Sequence, residues 1–268
     1  MNIVLPTKKE LKLDKKDNNI GILTIEPCYP GYGATIGNAL RRVLLSSLEG
    51  AAVTAVNIKG VSHEFSTIPH IKEDVLEIIL RLKKLRLKTF SDEPVKLLLN
   101  VKGEKEVKAS DITKNSNVEI INSDLKIATL TSRNAELSVE LTIDKGLGYE
   151  SVEQKEEKAK QNEVTIGIGD ILVDSVYSPI INVSVHIENV RVGQMTNYEK
   201  LILSIETDGT IDVNSAVEKS AKILIEHFQL LILKNPEKEK KEDIDEENKK
   251  VKKGEKKAKK EKKDKKAE

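Results

Sequence analysis

Residues 35–48, Thr35-Ile36-Gly37-Asn38-Ala39-Leu40-Arg41-Arg42-Val43-Leu44-Leu45-Ser46-Ser47-Leu48, decide the reading of the fold. Ile36, Ala39, Leu40, Val43, Leu44 and Leu48 recur at the spacing of one helical face, and Leu45 widens it. Thr35 is the expected N-cap, and Gly50 stands where a helix stop belongs. A helix with so broad an apolar face needs partners on more than one side. A second such helix is expected over residues 213–233: Val217, Ala221, Leu224, Phe228 and Leu231 form one stripe, Ile225 and Ile232 widen it, and Pro236 stops it. The apolar sides of these two segments are expected to be shielded from water only by a second identical chain.

Between the helices the period changes from 3.6 to 2. Residues 20–26 read as a strand, followed by a loop over 27–33 with two prolines and two glycines. Residues 52–59 alternate, and 61–65 read as the return strand of a hairpin across Gly60. Residues 71–82 read as a shorter amphipathic helix with Val75, Ile78, Ile79 and Leu82 inward. Short strands are expected at 95–101, 118–121, 126–130, 136–143, 171–174, 181–188, 190–192 and 200–206. Residues 145–149 read as a turn, Asp208-Gly209-Thr210 as a hairpin-like turn, and 151–161 as a polar, mobile stretch. The class is α+β, with two apolar helices flanking a mostly β middle.

The chain has 268 residues and near-balanced charge, 45 Lys and Arg against 44 Asp and Glu. The balance hides a split. Residues 237–268 hold 15 lysines against 11 acids, acidic at first and basic from Lys249 onward. With almost no large apolar side chains, residues 234–268 are expected to be a disordered charged tail. No run of 18 apolar residues is present, and the start has no secretory pattern, so a cytoplasmic location is expected. The single cysteine, Cys28, rules out an internal disulfide and a Cys-rich zinc site. Aromatics are only 3% of residues, which argues against base stacking on single strands.

Catalytic patterns are lacking, and no catalytic or metal-ligating residue is proposed. The Gly31, Gly33, Gly37 spacing has Ile36 where a dinucleotide fingerprint needs its third glycine, so it reads as a tight turn into a helix. His63-Glu64 has no second histidine at zincin spacing. Glu73, Glu77 and Arg81 follow one another at four-residue steps, the pattern of a solvated, ion-paired helix face. Lys83-Lys84-Leu85-Arg86-Leu87-Lys88 reads as a solvated edge strand guarded by lysine. Arg41 and Arg42, about 100° apart on the helix, leave two readings open: solvation of the helix, or an arginine anchor beside an apolar patch.

Three stretches together carry a resemblance: 33–48, Val61-Ser62-His63-Glu64-Phe65-Ser66-Thr67, and 73–83 (EDVLEIILRLK). With Asp174-Ser175-Val176-Tyr177-Ser178-Pro179 and 203–212 (LSIETDGTID), they resemble the N-terminal assembly region of the bacterial RNA polymerase alpha subunit over roughly residues 10–233. The resemblance implies a discontinuous dimerisation subdomain, 1–51 with 172–233, and an inserted, mostly β subdomain, 52–171. It implies a homodimer interface through Ile36, Leu40, Val43, Leu44, Val217, Ala221, Leu224 and Phe228. Arg42 and Leu45 match positions that contact the beta subunit, and Lys83 and Val173 match positions near beta-prime, each used in only one of the two copies. No cofactor is implied in this chain, magnesium being expected only in the large catalytic subunits. Assembly would run dimer first, then beta, then beta-prime.

The match departs from the family after Pro236, where the Lys/Glu tail stands in place of the usual helix-hairpin-helix DNA-binding domain. No sequence-specific promoter contact is therefore expected, and two readings of the block Lys249–Lys266 stand open: a solubilising tail with no partner, or weak, salt-dependent attraction to DNA or RNA. The competing reading is a stand-alone nucleic-acid-binding module acting through that tail. An archaeal-type dimerisation subunit is disfavoured by the absence of a cysteine set for an iron–sulfur or zinc insert.

Overall fold

The structure is a computed structural model that describes residues 5–14, 19–161, 167 and 169–232. Leu233, the expected tail over 234–268 and its basic block lie outside the described residues. In chain order the elements are β1 (Lys8–Leu13), β2 (Ile20–Cys28), α1 (Tyr32–Ser46), β3 (Glu49–Ile58), α2 (Val75–Leu82), β4 (Leu87–Thr89) and β5 (Val95–Lys102). Then come β6 (Lys105–Lys108), β7 (Val118–Ile120), β8 (Lys126–Leu130), β9 (Glu136–Leu147), β10 (Tyr149–Glu150) and α3 (Val152–Gln161). The order closes with β11 (Asp170–Leu172), β12 (Ser175–Val176), β13 (Ile180–Val192), β14 (Met195–Thr207) and α4 (Val213–Leu230). The chain divides into two units, Met1–Leu224 and Ile225–Glu268.

The α+β class holds, with strands in the majority. In the first unit, one antiparallel sheet runs β1-β2-β14-β13, and a second runs β5-β9-β3-β4-β7 with β11 added on β3. Strict alternation explains the second sheet: Val95, Leu97, Leu99 and Val101 of β5 point inward beside Leu137, Val139, Leu141 and Ile143 of β9. Helix α2 adds Val75, Ile78, Ile79 and Leu82 to that core, which also takes in Val173. A separate core gathers Leu23, Leu40, Leu44, Leu48, Val183, Leu201, Leu203, Ile205, Val213, Ala216 and Val217.

That second core overturns the strongest sequence expectation. Helix α1 lies across β13 and β14 of its own chain. Leu40, Leu44 and Val217 are buried in that core, at 7%, 1% and 6% exposure. Their side chains are therefore covered within the chain itself, without a second copy. The approach is close because the inward positions of α1 include glycine: a Cβ on Gly37 would stand 2.7 Å from a Leu201 methyl and 2.8 Å from one of Val185.

The start of α1 is also not as expected. Its N-cap is Gly31, with φ 86° and no capping side chain, while the Thr35 hydroxyl donates to the Gly31 carbonyl at 3.1 Å. The missing cap comes from β14: Glu199 accepts Gly31 N–H at 2.8 Å and Gly33 N–H at 2.9 Å. Gly50 is not a helix stop, because α1 ends at Ser46 and Gly50 sits inside β3, opposite Gly146 of β9. The two glycines make room for Tyr177: a Cβ on Gly50 would meet the Tyr177 carbonyl, and one on Gly146 its ring.

Other boundaries move for local reasons. Residues 61–65 form no return strand, since β3 pairs instead with β9, β4 and β11. Helix α2 begins only at Val75, because Ile71 is held as a bridge to Leu130 and the Asp74 carboxylate accepts Glu77 N–H at 2.7 Å. Residues 145–147 continue β9 rather than turning, and the break comes at Gly148 with φ 64°. The polar stretch expected to be mobile is helix α3. The basic run is no edge strand: only Leu87–Thr89 is extended, as β4 between β3 and β7. Residues 180–192 form one strand, and Asp208-Gly209-Thr210 leads into α4, whose start Asp212 caps through Asn214 N–H at 3.1 Å. Strand β1, pairing with β2, carries no periodic signal that marks it in the sequence.

Candidate functional site

The outward side of α1 carries charge beside apolar surface. Arg41 and Arg42 are both exposed, and Ile36, Val43 and Leu45 are half-buried. Neither guanidinium forms an ion pair within the described residues. The Arg42 carbonyl accepts from the Ser46 hydroxyl at 2.8 Å, which ties the last turn of the helix. The fork of five donors next to aliphatic side chains suits a protein docking surface.

Lys83 and Val173, ninety residues apart, are brought together on the other core. Lys83 Nζ pairs with Asp174 Oδ2 at 3.2 Å. Val173 itself is 3% exposed, with its side chain inside the core of the second sheet. What the surface presents there is Lys83 with Asp174. The second oxygen of Asp174 accepts Val152 N–H at 3.1 Å, capping α3. Burial raises the Asp174 carboxyl, but Val152 N–H and Lys83 outweigh it and hold it below the usual carboxylate range.

Lys155, which the sequence offered only as one lysine in a polar run, is the pin of this region. Its ammonium donates to the Val173 carbonyl, to Ser175 Oγ at 2.5 Å and to the Thr54 carbonyl at 3.3 Å. Burial lowers its pKa to about 8, against the pull of Glu150, Asp174 and Asp144. Tyr177 donates to Glu150 at 3.1 Å, and burial with that carboxylate raises its phenol above the ordinary value.

Glu73 departs from the solvated face expected of it. It precedes α2 and is 5% exposed. It accepts Thr129 N–H at 2.7 Å, the Thr129 hydroxyl at 2.9 Å and Arg81 Nη1 at 2.9 Å, while Arg81 Nη2 donates to Glu77 at 2.6 Å. This is a structural joint between α2 and β8.

Of the residues expected at a homodimer contact on α4, Ala221 and Leu224 are half-buried and Phe228 is exposed. In the second unit Ile225, Phe228, Leu230, Leu231 and Ile232 are all more than half exposed, a dense run of large apolar side chains in water. Among the described residues no three of the His, Cys, Asp and Glu side chains gather into a metal-binding group, and no helix is long and apolar enough to cross a membrane.

Residues 56–178 match the family model described as the RNA polymerase Rpb3/RpoA insert domain. Over 225 residues, 84% of this chain and 69% of the relative, the chain is 48% identical to the DNA-directed RNA polymerase subunit alpha of Desulforamulus reducens. Over 217 residues, 81% of this chain and 67% of the relative, it is 50% identical to that of Symbiobacterium thermophilum. Over 218 residues, 81% and 66%, it is 48% identical to that of Alkaliphilus oremlandii. The chain thus spans about two thirds of the length of these relatives. The family-model match takes in the Lys83–Asp174 pair, and with about half the residues identical over more than four fifths of its length the chain belongs to the family of bacterial DNA-directed RNA polymerase alpha subunits.

Proposed function

We propose that this chain is the non-catalytic scaffold of a cytoplasmic DNA-directed RNA polymerase. Two copies pair, and the pair gathers the beta and beta-prime subunits, in which the nucleotidyl transfer takes place. The core around α1, β13, β14 and α4, with residues 1–51 and 172–233, is read as the dimerising subdomain, and the core around α2, β5 and β9, within 52–171, as the inserted one. Of the residues expected to meet a second copy, Ile36, Val43, Ala221, Leu224 and Phe228 stay accessible, while Leu40, Leu44 and Val217 are used internally; Ile225, Leu230, Leu231 and Ile232 add to the accessible set. Arg42 with Leu45 is read as the contact to beta, and Lys83, held by Asp174, as the contact to beta-prime.

The observation that carries the dimer is the apolar run from Ile225 to Ile232. Full burial of a large aliphatic or aromatic side chain is worth about 1.5–3 kcal/mol. Five such side chains from each copy, 55–82% exposed, supply roughly 10–20 kcal/mol on burial before association costs of about 4–15 kcal/mol, so self-pairing needs most of them. Sedimentation velocity of the purified chain tests this. The wild type should sediment as a dimer, and Phe228→Glu as a folded single chain by far-UV circular dichroism. Arg42→Ala should leave the dimer intact and weaken capture of purified beta. A wild-type chain that stays single at micromolar concentration and captures neither large subunit would refute the scaffold reading.

A further inference from the structure

We infer that Glu199 is a positioning residue for the α1 docking surface: from β14 it fixes where α1 begins, and so how Arg42 and Leu45 are presented. This rests on the proposed role of α1 in binding beta.

The residues at the start of the helix supply no side-chain cap of their own. Its N-cap is glycine in the left-handed region, its first turn holds no acidic residue, and the nearest hydroxyl, Thr35, is spent as a donor to the Gly31 carbonyl. The first N–H groups of a helix need acceptors and favour negative charge. Glu199 meets both needs at once, one carboxylate oxygen on Gly31 N–H at 2.8 Å and the other on Gly33 N–H at 2.9 Å. The pairing is bidentate, so it sets orientation as well as position.

Two further features converge on this contact. Between Glu199 and Leu201 the pairing of β14 with β2 slips, Glu199 facing Cys28 and Leu201 facing Ile25, so that β2 carries an extra residue there. A bulge of this kind re-aims neighbouring side chains. On the helix side, Gly33 leaves the needed space: a Cβ there would stand 2.7 Å from Glu199 Oε2 and 3.3 Å from Glu199 Cβ. Arg42 and Leu45 lie about three turns further along the same helix, so any change in its starting direction is carried to them.

Four full-chain variants and the wild type decide the matter: Glu199→Gln, Thr35→Asp, the double variant and Arg42→Ala. Each is titrated with purified beta and followed by amide hydrogen exchange. The exposed Thr35 position lets an acid be supplied from the helix itself. Glu199→Gln should speed exchange at residues 31–36 and weaken beta binding about fivefold or more, the factor carried by one helix cap. Adding Thr35→Asp should restore most of both. The inference is overturned if Glu199→Gln alters neither readout, if Thr35→Asp restores neither, or if exchange also speeds throughout β5 and β9. If Arg42→Ala leaves beta binding unchanged, the docking reading fails on its own, and the exchange at 31–36 still reports whether Glu199 sets the helix start.

Discussion

Replacing Glu73 by alanine should be among the most damaging single changes in the inserted region. The carboxylate is 5% exposed and joins three donors: Thr129 N–H, the Thr129 hydroxyl and Arg81. Alanine leaves the Thr129 amide and hydroxyl without their acceptor, each worth about 1–3 kcal/mol when buried and unsatisfied. Arg81 suffers less, because its side chain is 25% exposed and keeps Glu77. The expected loss is about 3–5 kcal/mol, a large part of the ~5–15 kcal/mol that holds a typical domain together. Urea denaturation followed by far-UV circular dichroism measures it, and Thr129→Val completes a double-mutant cycle. The pH dependence gives a second readout. Burial raises the Glu73 carboxyl, but the two Thr129 donors and Arg81 outweigh it and hold it below the usual carboxylate range. The contribution is therefore fully present above the ordinary carboxylate pKa and is lost as pH falls through the lowered folded value. Glu73→Gln should remove that acid-limb slope. A loss under about 1 kcal/mol for Glu73→Ala, or an acid limb unchanged in the glutamine variant, would refute the joint described here.

Three further outcomes are expected. Gly50→Ala should destabilise the chain strongly, since its Cβ would collide with the Tyr177 carbonyl, a backbone atom that can move only if β12 leaves; thermal melts of Gly50→Ala against Gly60→Ala, where a Cβ meets no atom within 4 Å but φ is 84°, separate collision from backbone strain. Lys155→Met should release α3, which buries no residue of its own; faster amide exchange confined to 152–161, with the melting temperature little changed, is the signature. Asp174→Asn should free Lys83 and loosen the α3 cap, costing about 1 kcal/mol; a difference between wild type and variant that vanishes at high salt would instead mean that the ion pair is the whole effect.

Legibility in the sequence followed how local the cause was. Strands β5 and β9 alternate strictly because one face of their sheet is buried, and α2 shows its inward residues because its stripe is clean. Glycines 50 and 146 misled, one as a helix stop and one as a turn, because the reason for each is Tyr177, more than thirty residues away in the chain. Helix α3 was invisible for the same kind of reason: its ammonium pin reaches Thr54, Val173 and Ser175. Val173 carried a docking role by resemblance alone, and no three-residue strand betrays which way its neighbour points. The need for Glu199 was half legible, since residues 31–35 hold no acid and Gly31 is a poor cap, but which distant carboxylate answers it depends on the slip between β14 and β2.

The same geometry separates folding from assembly. The broad apolar face of α1 suggested that only a second chain could cover it. Gly33 and Gly37 instead let β13 and β14 come close enough to bury Leu40 and Leu44 within one chain. The core of α1 is thereby satisfied within one chain, with Ile36 and Leu45 packed at its margin and half-buried, and Arg41 and Arg42 exposed. In α4 the division falls along the helix: Val213, Ala216 and Val217 serve the core, while Ile225, Phe228 and Leu230 remain in water. If the proposed scaffold role holds, substitutions at the exposed positions should alter partner binding while the folded core is spared, a separation that pairing each binding assay with a thermal melt would read directly.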